Sequence, residues 1–265
     1  TVSRMRKQRY LTLEKRLSVP FWTKLAVPLA SIVAGFLFSA IFLLISGESP
    51  IEVYSVMFEG AFGSAYGLSE TVVKMIPLMI ISVGVAFAFK MQIWNAGGEG
   101  QLHIGAAAAT YVVLHLNGCS RFVTVLLAFL AAFICAGIYG LIPAILKVKW
   151  KVNELITCLM LNYVATFFVA WLIQGPWKDP TGFAFPRTRK IPSAGELTTF
   201  FGTRIHTGLI IGLAIALVLW FVIYKTRWGF EIKLIGAKEK VARYAGMSVN
   251  RNILLVMFLS AGIAG

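Results

Sequence analysis

The sequence predicts an all-α fold, a polytopic helical membrane protein with about seven hydrophobic segments. Composition is the first observation, because 58% of the 265 residues are hydrophobic and 14% are charged, whereas soluble domains hold about 45–50% apolar and about 25% charged residues. Pattern is the second, since apolar runs alternate with short charged connections. The basic residues behind the net charge of +14 lie in those connections, which favours membrane topology and argues against a nucleic-acid partner.

The chain begins with a basic segment and a first span. Residues 1–24 hold seven basic side chains and one acidic side chain, so we expect a cytoplasmic N-terminal segment. Residues 25–45 form the first predicted span; a cleaved signal peptide is the alternative, but its apolar region would be only about 7–15 residues long. Residues 47–70 contain four Glu and neither Lys nor Arg, which places them outside, with a short surface helix over 51–62. The second span, 71–89, returns to the cytoplasmic side.

A glycine-rich stretch follows at residues 92–105, Gln-Ile-Trp-Asn-Ala-Gly-Gly-Glu-Gly-Gln-Leu-His-Ile-Gly. Irregular backbone inside a bilayer is tolerated only where protein or a water-filled cavity surrounds it. One interpretation is a plain cytoplasmic turn before a span over 102–116. The other is a broken or re-entrant helix near 92–105 that lines a pathway, where an ionisable residue such as Glu99 is a functional candidate.

The middle of the chain carries three polar residues at the start of, or within, an apolar span. A span over 122–146 ends in the basic sequence KVKWK, and the next span opens with VNELITCLMLNY from Val152. Asn153 and Glu154 suit the capping of a first helical turn, and a place in a pathway stays open for them. Asn162 lies deeper, where an amide is costly without a partner, so we expect it to line a pathway or to contact another helix.

Three further segments complete the chain. Residues 174–205 form the longest polar connection, and their prolines predict an extended outer loop. The span 206–224 contains Gly208 and Gly212 in a G-x-x-x-G spacing that is typical of close helix contacts. Residues 253–265 are too few to cross a bilayer, so we expect the chain to be truncated at its C-terminus within a span.

The loop 225–251 carries seven Lys or Arg and two Glu, which places it on the cytoplasmic side. Residues 238–244 are predicted to form a short helix. The apolar face of that helix consists of Ala237, Val241, Tyr244 and Ala245. Two interpretations remain open: a basic loop lying on anionic lipid, and a docking helix for a cytoplasmic partner.

The pattern T-x-W-G-x-x-I-x-x-I-G-A-x-x-x-x-A-R-Y-A-G-M-S-V, from Thr226 to Val249, resembles the cytoplasmic loop of ABC-importer permeases of the simple-sugar, nucleoside and branched-chain amino-acid group. Leu234 and Lys238 depart from the Arg and Asn that are usual there. The W-N-A-G-G-E-G-Q segment and the V-N-E-L-I-T-C-L-M-L-N-Y segment resemble two further elements of the same group. The E-G-Q version is most similar to the nucleoside permeases, which implies nucleosides as substrates, with simple sugars such as ribose as the alternative.

The resemblance implies two sets of functional residues. The coupling segment, which would sit in a cleft of the ATPase, consists of Gly236, Ala237, Glu239, Ala242, Arg243, Tyr244 and Gly246. The translocation pathway would be lined by Asn95, Glu99, Gln101, Asn153, Glu154 and Asn162.

The resemblance also implies the partners. These are cytoplasmic ABC ATPase subunits, a second permease subunit in a homodimer or heterodimer, and an extracytoplasmic substrate-binding protein. We expect Arg187, Arg189 and Lys190 of the outer loop to dock that binding protein through charge; an ordinary surface loop is the alternative. The expected location is the bacterial inner membrane, with residues 25–265 forming an incomplete permease domain.

Several functions are disfavoured by the sequence. The chain lacks a G-x-x-x-x-G-K-[ST] phosphate-binding motif, so ATP would be bound by the partner subunit, and we expect no cofactor in this chain. No His, Cys or Asp cluster has the spacing of a metal or acid–base site, which makes an enzyme a weak alternative and predicts no metal. A secondary transporter driven by an ion gradient remains the other alternative.

Overall fold

The computed structural model describes residues 20–116, 119–180, 186–200 and 202–265. Most of the predicted N-terminal segment, residues 1–19, therefore lies outside the described residues. The described part contains ten α-helices and no strand, which confirms the all-α class; two isolated bridges pair Lys178 with Thr188 and Thr199 with His206. The helices are Phe21–Ile45 (α1), Pro50–Phe62 (α2), Ala65–Phe89 (α3), Gly98–His115 (α4), Arg121–Trp150 (α5), Glu154–Gln174 (α6), Gly208–Lys225 (α7), Arg227–Ala237 (α8), Glu239–Tyr244 (α9) and Val249–Ala264 (α10).

Five of these helices, α1, α3, α5, α6 and α7, are long and apolar enough to cross a membrane, and α10 is a shorter apolar helix. This confirms a polytopic helical membrane protein. Helix α3 begins six residues before the predicted span because the Ser64 hydroxyl caps it, accepting a hydrogen bond from Gly67 N at 2.9 Å. Helix α5 runs on to Trp150 and ends where Lys151 adopts a left-handed conformation, with φ 57°.

The chain divides into two units, residues 1–63 and residues 64–265. In the first unit, the predicted surface helix is present as α2, and it packs on α1. The Tyr54 hydroxyl donates to Phe36 O at 2.7 Å, and the two rings meet edge to face at 5.2 Å. None of the residues of α2 is buried.

The second unit is built around α10, which packs against α5 and α3. Small residues let these helices approach closely, as lipid supplies no hydrophobic drive for helix association. A Cβ on Gly84 of α3 would lie 2.7 Å from Ser260 O of α10, and a Cβ on Gly137 of α5 would lie 2.6 Å from the Phe258 ring. Val256, Met257 and Ser260 of α10 are consequently fully buried.

The predicted G-x-x-x-G contact is confirmed. Helix α7 packs on α3, and both glycines are buried in that contact. A Cβ on Gly208 would lie 3.3 Å from Ile76, and one on Gly212 would lie 2.9 Å from Ile80. Helix α4 in turn packs between α5 and α6.

Charged contacts occur at both ends of this unit, and connections that the sequence predicts on the same side of the membrane meet at the same end. At one end, Arg204 pairs with Glu70 at 3.1 Å, and the Arg121 guanidinium donates to Glu196 O. These residues belong to connections expected outside. At the other end lie the turn after α3, the α5–α6 turn and the basic loop, all expected inside.

The basic loop contains more helix than the sequence predicts. Residues 227–237 form α8, because the Thr226 hydroxyl accepts from Gly229 N at 3.1 Å and because Ile232 and Ile235 are buried in the core. The short helix expected over 238–244 is present as α9. Its predicted apolar face is not covered by this chain, since Tyr244 is 93% exposed.

Candidate translocation and coupling sites

Two buried amides hold the turn between α3 and α4. Asn95 Nδ2 donates to Gln101 Oε1 at 3.1 Å, and Gln101 Nε2 donates back to Asn95 Oδ1 at 2.9 Å. The two residues are 1% and 2% exposed. Each amide therefore satisfies the other, which a low-dielectric interior requires of buried polar groups.

A serine extends this pair to two more helices. Asn95 Nδ2 also donates to Ser260 Oγ of α10 at 2.8 Å, and Ser260 Oγ donates to Gly84 O of α3 at 2.8 Å. We call Asn95, Gln101 and Ser260 the amide network. No buried side-chain nitrogen or oxygen in the described residues lacks a partner, so the network is a closed set that positions the turn.

The turn itself is irregular backbone in which buried and exposed residues alternate. Helix α3 ends at Phe89 and α4 begins at Gly98, and Gln92 between them has φ 59°. Met91 and Ile93 are 3% and 2% exposed. The structure therefore places a helix break within the stretch predicted to hold one, but the break lies over 90–97, and the rest of the predicted stretch is helical.

Asn162 of α6 bridges the same break. Its Oδ1 accepts from Gly100 N at 2.9 Å, and its Nδ2 donates to Ala96 O at 3.0 Å. The N-cap residue of α4, Gly97, supplies no side-chain cap, so Asn162 caps α4 from another helix. The sequence left two roles open for Asn162, lining a pathway and contacting another helix, and these hydrogen bonds are a contact with another helix.

Glu99 differs from its neighbours because it lies in the first turn of α4 with its side chain exposed. Within the described part of the chain it makes no hydrogen bond or ion pair. A carboxylate at a helix N-terminus is electrostatically favourable. Of the six predicted pathway residues, Glu99 is the acid that is most available to a solute.

The other two predicted pathway residues lie at the α5–α6 turn. Asn153 is exposed and caps α6, its Oδ1 accepting from Leu155 N at 2.9 Å. Glu154 is 8% exposed and pairs with Lys147 of α5 at 2.5 Å. Trp94 N lies 3.5 Å from the same carboxylate oxygen. Glu154 thus links the C-terminal end of α5 and the N-terminal end of α6 to the turn that holds Asn95.

The predicted coupling segment packs directly on that turn. A Cβ on Gly236 would lie 2.5 Å from Lys90 O and 3.1 Å from Met91 Cα, so the backbones touch only because residue 236 is glycine. Ala237 ends α8, and Lys238 then takes an extended conformation with φ −154°. A rigid contact therefore runs from α8 to the turn between α3 and α4.

Helix α9 and the turn after it contain the remaining residues of the predicted coupling segment. Arg243 Nη2 donates to Glu239 Oε1 at 2.7 Å, and this bond lowers the pKa of Glu239 below its ordinary value. Ala242 is fully buried and anchors α9, whereas Tyr244 projects outward. Gly246, with φ +78°, turns the chain back toward α10.

The three residues predicted to dock a binding protein lie on the long connection between α6 and α7 and are exposed. Arg187 pairs with Asp179 at 3.6 Å. Arg189 and Lys190 follow the bridge that Thr188 forms with Lys178. No group of three or more potential metal ligands occurs in the described residues.

Sequence reasoning missed four contact residues. Ser260 joins the amide network, and Trp228, Glu231 and Asn252 form a hydrogen-bonded set between α8 and α10. A serine, a tryptophan and an asparagine near the ends of apolar runs are ordinary in a membrane protein. Only the fold shows which of them meet.

Comparisons with known proteins identify the family of this chain. A family described as branched-chain amino acid transport system / permease component matches residues 67–265. The chain is 35% identical over 247 residues to the guanosine ABC transporter permease protein NupP of Bacillus subtilis, with 91% of this chain and 70% of that protein covered. It is 33% identical over 254 residues to the nucleoside ABC transporter permease protein NupB of Lactococcus lactis, with 91% and 69% covered.

A third relative is named for a different substrate. The glucose ABC transporter permease protein TsgB13 of Haloferax volcanii is 32% identical over 265 residues, with 96% of this chain and 69% of that protein covered. No solved structure is a significant match.

Proposed function

Because this chain belongs to the family of branched-chain amino acid transport system permease components, we propose that it is the membrane-spanning permease subunit of an ATP-binding-cassette importer for nucleosides. The proposal of a nucleoside substrate is supported by the similarity of this chain to two relatives that are named for guanosine and for nucleosides. Cytoplasmic ATPase subunits, a second permease subunit and an extracytoplasmic binding protein would complete the transporter in the inner membrane.

The coupling role is supported by the geometry of α9. Ala242 holds the helix to the protein while Tyr244 and Val241 are exposed, at 93% and 45%. An aromatic and an aliphatic side chain left bare beside the Glu239–Arg243 pair suit a cleft in a partner protein. Lipid is the other occupant that the sequence left open.

The pathway role is supported by Glu99 at the start of α4. Its carboxylate is exposed beside a break that Asn95, Gln101 and Asn162 hold in place. Broken helices place polar groups and helix ends at the substrate sites of many transporters. A second permease subunit facing this surface would put the pathway at the subunit interface.

The test is ATP-dependent uptake of labelled guanosine by the full-length permease, reconstituted in liposomes with its ATPase and its binding protein. Excess unlabelled adenosine is expected to compete, whereas ribose, glucose and leucine are not. Uptake of glucose or ribose without guanosine uptake would replace the nucleoside proposal with the sugar alternative, which TsgB13 favours.

The ion-coupled alternative is tested in the same liposomes. An ABC permease requires hydrolysable ATP and is expected to lose transport when Gly236→Val separates α8 from the Lys90–Met91 turn. The matched variant Gly35→Val adds a side chain in α1 where nothing lies within 4 Å, and it is expected to retain transport. Uptake driven by an ion gradient without ATP would contradict the proposal.

A further inference from the structure

A partly buried hydrogen-bonded set joins the basic loop to α10. Trp228 Nε1 of α8 donates to Asn252 Oδ1 at 2.7 Å, and Asn252 Nδ2 donates to Glu231 Oε2 at 2.9 Å. Asn252 is 5% exposed. We call these three residues the α8–α10 joint.

The joint is rigid for three reasons. A hydrogen bond to an ionised carboxylate is stronger than one between neutral groups, and the amide of Asn252 is satisfied on both its donor and its acceptor side. The Trp228 ring also packs against Phe87 of α3 at 5.6 Å. Beside it, Ile232 and Ile235 of α8 are buried in the same core as Val256 of α10.

Helix α10 connects this joint to the amide network. Asn252 and Ser260 lie on the same helix, eight residues apart, which corresponds to about 12 Å along its axis. Ser260 Oγ accepts from Asn95 Nδ2 at 2.8 Å. Val256 and Met257, between the two contacts, are fully buried, so α10 has no room to deform independently of its neighbours.

We propose that Asn252 is a positioning residue, through which the α8–α10 joint passes movement of the coupling segment along α10 to the amide network and the start of α4. The proposal rests on the coupling role given above for α8 and α9. It adds a route separate from the direct contact between Gly236 and the Lys90–Met91 turn.

The joint is tested by substitutions that exchange the hydrogen-bond donor of Asn252 and the acceptor of Glu231. Asn252→Asp keeps the acceptor for Trp228 but sets a carboxylate against Glu231, so the joint is expected to open. Adding Glu231→Gln restores a donor opposite Asp at 252 and is expected to restore coupling. Trp228→Phe keeps an aromatic ring against Phe87 and removes the indole N–H together with part of the ring volume, without placing a new charge in the joint, which makes it the gentler variant if Asn252→Asp folds poorly.

The first readout is the number of guanosine molecules imported per ATP hydrolysed by the full-length reconstituted transporter. Asn252→Asp and Trp228→Phe are expected to lower this ratio about 2- to 30-fold, with basal ATP hydrolysis retained and with the double variant near wild type. Wild-type ratios in both single variants would overturn the proposal. A double variant as poor as Asn252→Asp would also overturn it, because pairing would then not be the cause.

The second readout does not depend on the substrate. Spin labels at the exposed positions 240 in α9 and 106 in α4, with Cys119 and Cys135 replaced by Ser, report the distance between the coupling segment and the helix after the break. ATP is expected to change this distance in the wild-type complex and not in Trp228→Phe. A change in the wild type without guanosine uptake would overturn only the nucleoside proposal; an equal change in Trp228→Phe, or no change in the wild type, would overturn the joint.

Discussion

The side-chain amide of Asn162, a residue of α6, caps the N-terminus of α4. Removing it leaves Gly100 N and Ala96 O without their partners in a partly buried site. Asn162→Ala is therefore expected to lower the free energy of unfolding by about 1–3 kcal/mol, measured by denaturant titration in detergent micelles. Thr166→Val is the control, since its exposed hydroxyl bonds only within α6 to Asn162 O. Equal stability of the two variants would contradict the capping role.

The ion pair of α9 sets a pH range at the same scale. The hydrogen bond from Arg243 lowers the pKa of Glu239, so the pair contributes stability above the unfolded-state pKa of about 4.3 and loses it only as the pH falls through the lowered folded-state pKa. The stability difference between wild type and Glu239→Gln is expected to be about 0.3–0.5 kcal/mol. It should stay constant from about pH 5.5 to about pH 8.5 and shrink at lower pH. A difference that varied between pH 6 and pH 8 would show that another group titrates with the pair.

Single residues also mark the limit of what the sequence can predict. The cost of an amide deep in an apolar span predicts that Asn162 has a partner, but the partner is a backbone group 62 residues away. Likewise, polar residues within a glycine-rich stretch predict a special site at Asn95 and Gln101. The additional bond from Asn95 goes to Ser260, which is 165 residues away. Distances of this kind follow from the packing of helices, which local patterns do not encode.

At the scale of elements, helix crossings depend on which atom faces each glycine. A Cβ on Gly84 of α3 would lie 2.7 Å from the backbone oxygen of Ser260, whereas a Cβ on Gly212 of α7 would meet only side chains, the flexible end of Met79 at 2.5 Å and Ile80 Cγ1 at 2.9 Å. Gly84→Ala is therefore expected to be less stable than Gly212→Ala by about 1–3 kcal/mol, measured by denaturant titration. Both alanines raise helix propensity equally, so the comparison isolates the contact. Equal stability would mean that α10 can move away from α3 at little cost.

Element type was more predictable than element contact. The length of the apolar runs and their charged boundaries are physical requirements of a bilayer, which is why five spanning helices and the short helix α9 are found where the sequence places them. Helix α8 was missed because its three charged residues obscure the two isoleucines that bury it. The predicted apolar face of α9 was located by periodicity, but periodicity cannot tell whether this chain or a partner covers it.

On the scale of the whole molecule, the two ends of the second unit carry different chemistry. The end expected inside presents a basic loop with helix α9, whose Tyr244 is exposed. The end expected outside presents ion pairs, Arg204 with Glu70 and Arg187 with Asp179, and two exposed cations, Arg189 and Lys190. In an importer of the proposed kind, partners approach both ends, so charge at each end is open to a separate test.

The outer end gives the sharpest charge test, because Arg189→Glu/Lys190→Glu leaves the Arg187–Asp179 pair intact. If these cations steer an acidic binding protein, the reversal is expected to raise the binding-protein concentration that half-saturates ATPase stimulation by about tenfold or more. The neutral variant Arg189→Gln/Lys190→Gln should fall between, and transport at saturating binding protein should be retained in both. The difference should also shrink at about 1 M salt, where the screening length is about 3 Å. An unchanged half-saturation in the reversed variant would return this loop to an ordinary surface and move the docking site elsewhere on the outer end.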